Sequence, residues 1–199
     1  MATVTEPGRV GNAGGVAPLP EGPYEVIGDQ IVVKPPMGVF ESGVASLLLE
    51  LLGSFARGNR LGQVFLETRF DLRPVVNRSR CPDLAFVSAR KWPLNRRPPR
   101  RESWPLVPDL AAEVVSPSNE AKEVIDKVGE YLQAGVQVVW VIYPSAREIH
   151  VFDARTPTTV GRVLAGQVLG GDPHLPGFRL SLDLLVGETD EDGAAAAAG

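Results

Sequence analysis

Apolar residues recur at helical spacing in "ESGVASLLLELLGSFARG", where Val44, Leu47, Leu48, Leu51, Leu52 and Phe55 share one face and Gly58 supplies a stop. The next stretch, "GQVFLETRFDL" from Gly62, alternates apolar and polar positions, as a strand with one wet face does. "DLAFVS" after Pro82 reads as a short strand, and the prolines of "WPLNRRPPRRESWP" mark a loop. "LAAEVVS" and "VQVVWVIYP" are apolar without alternation, the pattern of strands covered on both faces. Between them, Ser116-Pro117-Ser118 offers a hydroxyl cap and an early proline, so a helix is predicted from there to about Ala134, ending at Gly135. That strand–helix–strand succession is a parallel crossover. "REIHVFDAR" alternates and pairs with the preceding strand across "PSAR", and "TTVGRVLAG" adds one more. The sum is an α/β domain with a mixed central sheet and a helix packed on each side.

Composition sets the limits of that domain. Residues 1–22, rich in Gly, Pro and small side chains, read as a flexible segment, and the acidic, alanine-rich residues 188–199 as a disordered tail. This leaves one folded domain over 23–187. A hydrophobic fraction of 44% and a charged fraction of 22% are those of a soluble globular protein. No uninterrupted apolar run reaches the ~18 residues needed to span a bilayer, and the first residues carry no basic-then-apolar signal. The expectation is a cytoplasmic protein with no membrane partner. The single cysteine, Cys81, excludes an intramolecular disulfide and a multi-cysteine zinc site, and two histidines disfavour a multi-histidine centre. Any metal would be held by oxygen, which suits Mg2+, Mn2+ or Ca2+.

The net charge of −4 gives no global sign of nucleic-acid binding, but its distribution does. Arg78, Arg80, Arg90, Lys91, Arg96, Arg97, Arg100 and Arg101 are eight of the chain's 20 basic residues, and Asp83 is the only acid among them. A local basic surface can bind phosphates on an acidic protein. An exposed, arginine-rich loop would have the same composition.

Charged residues placed where burial is expected carry the candidate chemistry. Asp83 opens one strand, and Glu113 sits inside "LAAEVV", where an unpaired carboxylate is costly. On the following helix Val124, Ile125, Val128, Tyr131 and Leu132 form the apolar face. Lys127 lies at its edge, while Asp126 and Lys122 point away. Two carboxylates and a lysine at one end of a sheet can hold a divalent cation and orient a water molecule against a phosphate. Other roles stay open: Asp83 as a turn cap after Pro82, Glu113 paired with Arg78 or Arg80, Lys127 as a surface lysine.

"RCPDLAFVS", "PDLAAEVVSPS" and "DKVGEYLQAGVQVVWVIYP", in that order, resemble the Uma2-like (DUF820) proteins of the PD-(D/E)XK nuclease superfamily. The resemblance covers about Tyr24 to Asp153 and implies a restriction-endonuclease-like core. It implies Asp83 and Glu113 as metal ligands, with the backbone carbonyl of Val114 as a third. The superfamily lysine usually follows the second acid by two residues, where this chain has Val115; Lys127 on the next helix matches the shifted lysine. Glu41, near the start of the first helix, matches an additional acid. Tyr131, one turn past Lys127, reads equally as core. The implied function is a Mg2+-dependent endonuclease on DNA, with Mn2+ as a substitute ion. Arg78, Arg80, Arg90, Lys91, Arg96 and Arg97 would contact the nucleic acid, and a homodimer is the arrangement for cutting both strands. The alternatives are a nuclease-fold binding or assembly module without catalysis, and a metal-dependent hydrolase of another phosphoester.

Overall fold

A computed structural model describes residues 20–117 and 119–187 of the chain. In chain order its elements are β1 (Tyr24–Ile27), β2 (Gln30–Val33), α1 (Val39–Gly58), β3 (Gly62–Leu66), β4 (Phe70–Asp71) and β5 (Arg78–Arg80). Then come β6 (Leu84–Ser88), β7 (Leu110–Val114), α2 (Ala121–Ala134), β8 (Val138–Tyr143) and β9 (Glu148–Asp153). The last are β10 (Val160–Leu164), β11 (Val168–Gly170), β12 (Arg179–Ser181) and α3 (Leu182–Val186).

The central sheet has six strands in the order β10-β9-β8-β7-β6-β3. Only β7 and β8 run parallel, because only they are joined by a helical crossover, α2. Side-chain alternation sends Leu84, Phe86, Leu110, Ala112, Trp140 and Ile142 to one face, where Leu48, Leu52 and Ala56 of α1 cover them. It sends Ala85, Val87, Ala111, Val139 and Val141 to the other, under Val124, Val128 and Tyr131 of α2. Being buried on both faces is what makes β7 and β8 read as unbroken apolar runs. The close seating of β3 on β6 depends on Gly62, where a Cβ would lie 2.2 Å from the carbonyl oxygen of Val87.

A second sheet, β2-β1-β5-β4, is antiparallel throughout. Its β1–β2 hairpin turns through Gly28 at φ +62° and places Glu25 and Lys34 beside the ends of β6 and β7.

Two local expectations are corrected, and one helix needs comment. "GQVFLETRFDL" is not one strand: the backbone turns left-handed at Glu67 (φ +42°), whose N–H is taken by the Asp83 carbonyl, and β4 joins the second sheet instead. The second helix begins at Ala121, with Glu120 as its cap. Asn119 Oδ1 accepts from the N–H and hydroxyl of Ser116 and keeps that segment in a turn; Ser118 lies outside the described residues. Finally, α1 is long and apolar enough to cross a membrane by composition, with a window of mean hydropathy 1.5. Here its buried stripe packs on the central sheet. The segments read as flexible, 1–22 and 188–199, fall outside the described residues except for 20–22.

Candidate active site

The pairing Leu84↔Ala112 between antiparallel β6 and β7, carried one residue further, sets Asp83 opposite Glu113. Both belong to the α2 face, since each is an odd position beside Ala85 and Ala111. The Val114 N–H donates to Asp83 Oδ2 at 2.7 Å and locks the two strand ends together. Asp83 and Glu113 are 5% and 6% exposed, so each needs a partner.

Those partners come from three elements. Lys34, just past β2, donates to Asp83 Oδ1 at 2.7 Å and to the Cys81 carbonyl at 2.9 Å. Tyr131 of α2 is fully buried and donates its hydroxyl to Glu113 Oε1 at 2.7 Å. Lys127, one turn earlier, carries its Nζ to 3.7 Å from Glu113 Oε2, 3.8 Å from Glu25 Oε1 and 3.5 Å from Glu123 Oε1. The next helix therefore delivers a lysine to Glu113, the acid that Val115 follows by two residues.

A second buried network stands behind the first. Arg80 binds Glu25 on one side and Glu130 Oε2 at 2.7 Å on the other, and Arg78 reaches Glu130 Oε1 at 3.2 Å. The arginines considered as partners for Glu113 are thus taken by other acids. Arg80, 4% exposed, is not available to a phosphate, which corrects its expected role in nucleic-acid contact. Arg78 is half-buried against Glu130.

The electrostatics follow from burial. Burial pushes the Glu113 carboxyl up to about 7; the positive charge of Lys127 opposes this and the negative charge of Asp83 adds to it. Burial would lower Lys34 and Lys127, yet the surrounding carboxylates outweigh it and hold both ammoniums above the ordinary lysine range. Tyr131 is held protonated by burial and by Glu113.

Lys34, Asp83, Glu113 and Lys127 line a cleft of about 850 Å³ between β1–β2, the end of β7 and the start of α2, with Tyr131 buried behind it. Its ionisable lining is acidic: Glu25, Glu67, Asp83, Glu113, Glu120, Glu123 and Asp126 against Lys34, Arg80, Lys122 and Lys127. Glu41 is buried in the first turn of α1, against Gly38, and does not line the cleft. The extra acid beside the site is Glu25 instead. Glu25, Lys34 and the bond from Tyr131 are the features that sequence reasoning missed. A Gly-Asp pair between two apolar stretches, "YEVIGDQIVV", was the available signal for the hairpin that carries the first two.

Arg90, Lys91, Arg96, Arg97, Arg100 and Arg101 are exposed and lie outside the cleft lining. Their loop leaves β6 at Ser88 and enters β7 at Leu110, at the far end of both strands from Asp83 and Glu113. It then folds back, so that Glu102 accepts from Tyr24 at 3.3 Å and Trp104 bonds to the backbone of Arg69 and Asp71. Lys91 is held by the Val107 carbonyl and Asp109, and the Arg96 guanidinium lies 4.1 Å over the Trp92 ring.

The donors would suit a hard divalent cation: all are oxygens, and the two carboxylates stand on directly opposed residues at a cleft wall. The upward shift of Glu113 marks an environment that such an ion would relieve. Among the described residues no three His, Cys, Asp or Glu side chains are grouped to hold a metal.

The sequence profile of the Uma2 family, described as "Putative restriction endonuclease", matches residues 18–183. The chain belongs to the Uma2 family. Among solved structures, the Uma2 chain is similar to a "putative nuclease belonging to DUF820" from Anabaena variabilis ATCC 29413. The TM-score is 0.74 at 20% identity, over 85% of this chain and 93% of that one. That likeness shows the shared fold, a mixed central sheet flanked by helices. No curated protein matches the Uma2 chain.

Proposed function

We propose that this Uma2 protein is a divalent-metal-dependent endonuclease acting on DNA. The observation that carries the reading is the placement of Asp83 opposite Glu113 at a cleft wall, with Lys127 Nζ 3.7 Å from Glu113. Asp83, Glu113 and the Val114 carbonyl would hold Mg2+, or Mn2+ in its place. When bound, the ion would polarise the phosphodiester and acidify a water molecule. Lys127, held among three carboxylates, orients that water and balances the charge that develops at the phosphate. Tyr131 fixes the rotamer of Glu113 through its hydroxyl. The 90–101 loop supplies contacts to phosphates away from the reacting bond, which give affinity without base specificity.

The test is cleavage of supercoiled, linear and single-stranded DNA by purified protein with Mg2+ or Mn2+. Loss of cleavage in both Glu113→Ala and Lys127→Ala is expected; activity surviving in both would sink the assignment. A second reading, a nuclease-fold binding module without catalysis, is favoured by the pairing of both carboxylates with protein donors. It predicts no divalent-metal binding by calorimetry and nucleic-acid affinity indifferent to chelator.

A further inference from the structure

Lys34 occupies the place in the cleft where a cation is expected. Its ammonium is held by two oxygens, Asp83 Oδ1 at 2.7 Å and the Cys81 carbonyl at 2.9 Å. The other oxygen of Asp83 is taken by the Val114 N–H at 2.7 Å. Each Asp83 oxygen thus already accepts one hydrogen bond, and an ammonium beside the carboxylate repels a divalent ion and competes with it for the same lone pairs. Lys127 differs: its three carboxylates stand at 3.5–3.8 Å, beyond a close hydrogen bond, so it can stay in place. The stem of Lys34 is flexible and lines a cleft of about 850 Å³ together with Val33, Pro35 and Pro36. A released ammonium therefore has room to move toward solvent while still in the cleft.

We infer that Lys34 is a resident counter-ion of the acidic pair, one that gives way to the divalent cation and then takes a phosphate oxygen of the substrate. The inference rests on Asp83 and Glu113 holding the metal. Its consequence is a pair of effects of opposite sign. Removing the ammonium helps the metal, because a competitor is gone, and harms nucleic-acid binding, because a phosphate partner is gone. A merely structural lysine would not divide the two.

Lys34→Gln keeps a polar donor and removes the charge. Titration calorimetry with Mn2+ alone should give about tenfold tighter binding than wild type, the effect of removing one charge-assisted hydrogen bond from the competition. Binding of a short DNA duplex, measured with Mn2+ saturating, should weaken by about threefold to tenfold in the same variant. Lys34→Arg is the second variant, for use even if the glutamine protein fails to fold. A guanidinium grips a carboxylate through two bonds, so Mn2+ should bind more weakly than to wild type while the duplex is retained. Unchanged or weaker Mn2+ binding in Lys34→Gln, or unchanged or tighter binding in Lys34→Arg, overturns the inference. Asp83→Asn separates this failure from that of the site itself. If wild type binds Mn2+ and Asp83→Asn does not, the metal site stands whatever Lys34 does. If wild type binds no Mn2+, the metal reading and the role of Lys34 fall together.

Discussion

Glu113 is a carboxylate whose burial, not its partners, decides its titration. Its carboxyl rises from an ordinary 4.5 to about 7 in the folded protein. Between those values the folded state holds a proton that the unfolded chain has released. The stability this provides is full below about pH 4.5 and declines as pH rises, until it is lost above about 7. Thermal unfolding from about pH 5 to 8 should therefore show wild type losing several degrees, at about 2–4 °C per kcal/mol for a chain of this size. Glu113→Gln, neutral at every pH, should be flatter over the same range; superimposable profiles would refute the shift. A metal binds the carboxylate form, so Mn2+ affinity should climb as pH rises through about 7. Tyr131→Phe removes the donor at 2.7 Å and should raise the Glu113 midpoint further. It should also cost about 1–3 kcal/mol in chemical denaturation. Of these residues, Glu113 stood out in the sequence because an acid inside an apolar strand is costly, and Asp83 because it opens a buried one. Tyr131 did not, since a buried tyrosine on an apolar helix face looks like any core aromatic until its hydroxyl is seen to point at a carboxylate.

At the scale of elements, the second sheet and α2 are joined by ions. Arg80 of β5 lies between Glu25 of β1 and Glu130 of α2, all in a region closed to solvent or nearly so. Arg80→Met would leave the buried Glu25 without its guanidinium and Glu130 with Arg78 alone, at a cost of about 3–5 kcal/mol. Urea unfolding checks this against Lys122→Ala, which loses only an exposed pair with Asp126 and should match wild type. A cost for Arg80→Met no larger than for Lys122→Ala would mean that the network holds nothing together. This junction also explains which elements were legible. The core strands β6, β7 and β8 and both long helices announce themselves, because burial on both faces or along one stripe writes a strong apolar period. The strands β1, β2 and β5 do not, because each is short, with apolar and polar residues mixed across a small sheet. Their order depends on long-range pairing, such as Val26↔Ser79, which no local pattern encodes. The candidate site was half legible for the same reason: Asp83, Glu113 and Lys127 lie on the strong elements, and Glu25 and Lys34 on the weak ones.

On the scale of the whole molecule, acid and base are kept apart. The cleft is acidic, whereas the exposed arginines sit on a loop rooted at the far ends of β6 and β7. The length of β6 separates those roots from Asp83, a span of about 16 Å and so about half a turn of B-form DNA. Under the proposed function, a duplex presenting a phosphate to the cleft would pass the root of that loop about half a turn further along its backbone. The two regions should act through different terms: the loop through counterion release, the cleft through the metal that offsets its own negative charge. Replacing Arg96, Arg97, Arg100 and Arg101 by Gln should weaken duplex binding whatever its sequence. It should also flatten the dependence of log affinity on log salt by about 0.9 for each phosphate that the loop no longer neutralises. Mn2+ affinity should not change, because none of the four lines the cleft. Lys127→Ala should do the reverse, abolishing cleavage while leaving most of the salt slope. Fluorescence anisotropy across a salt series, beside Mn2+ calorimetry, separates the two. A salt slope unmoved by the fourfold loop variant would mean that DNA does not follow the loop. The cleft would then have to recruit its substrate against seven carboxylates with the metal and its few basic side chains alone.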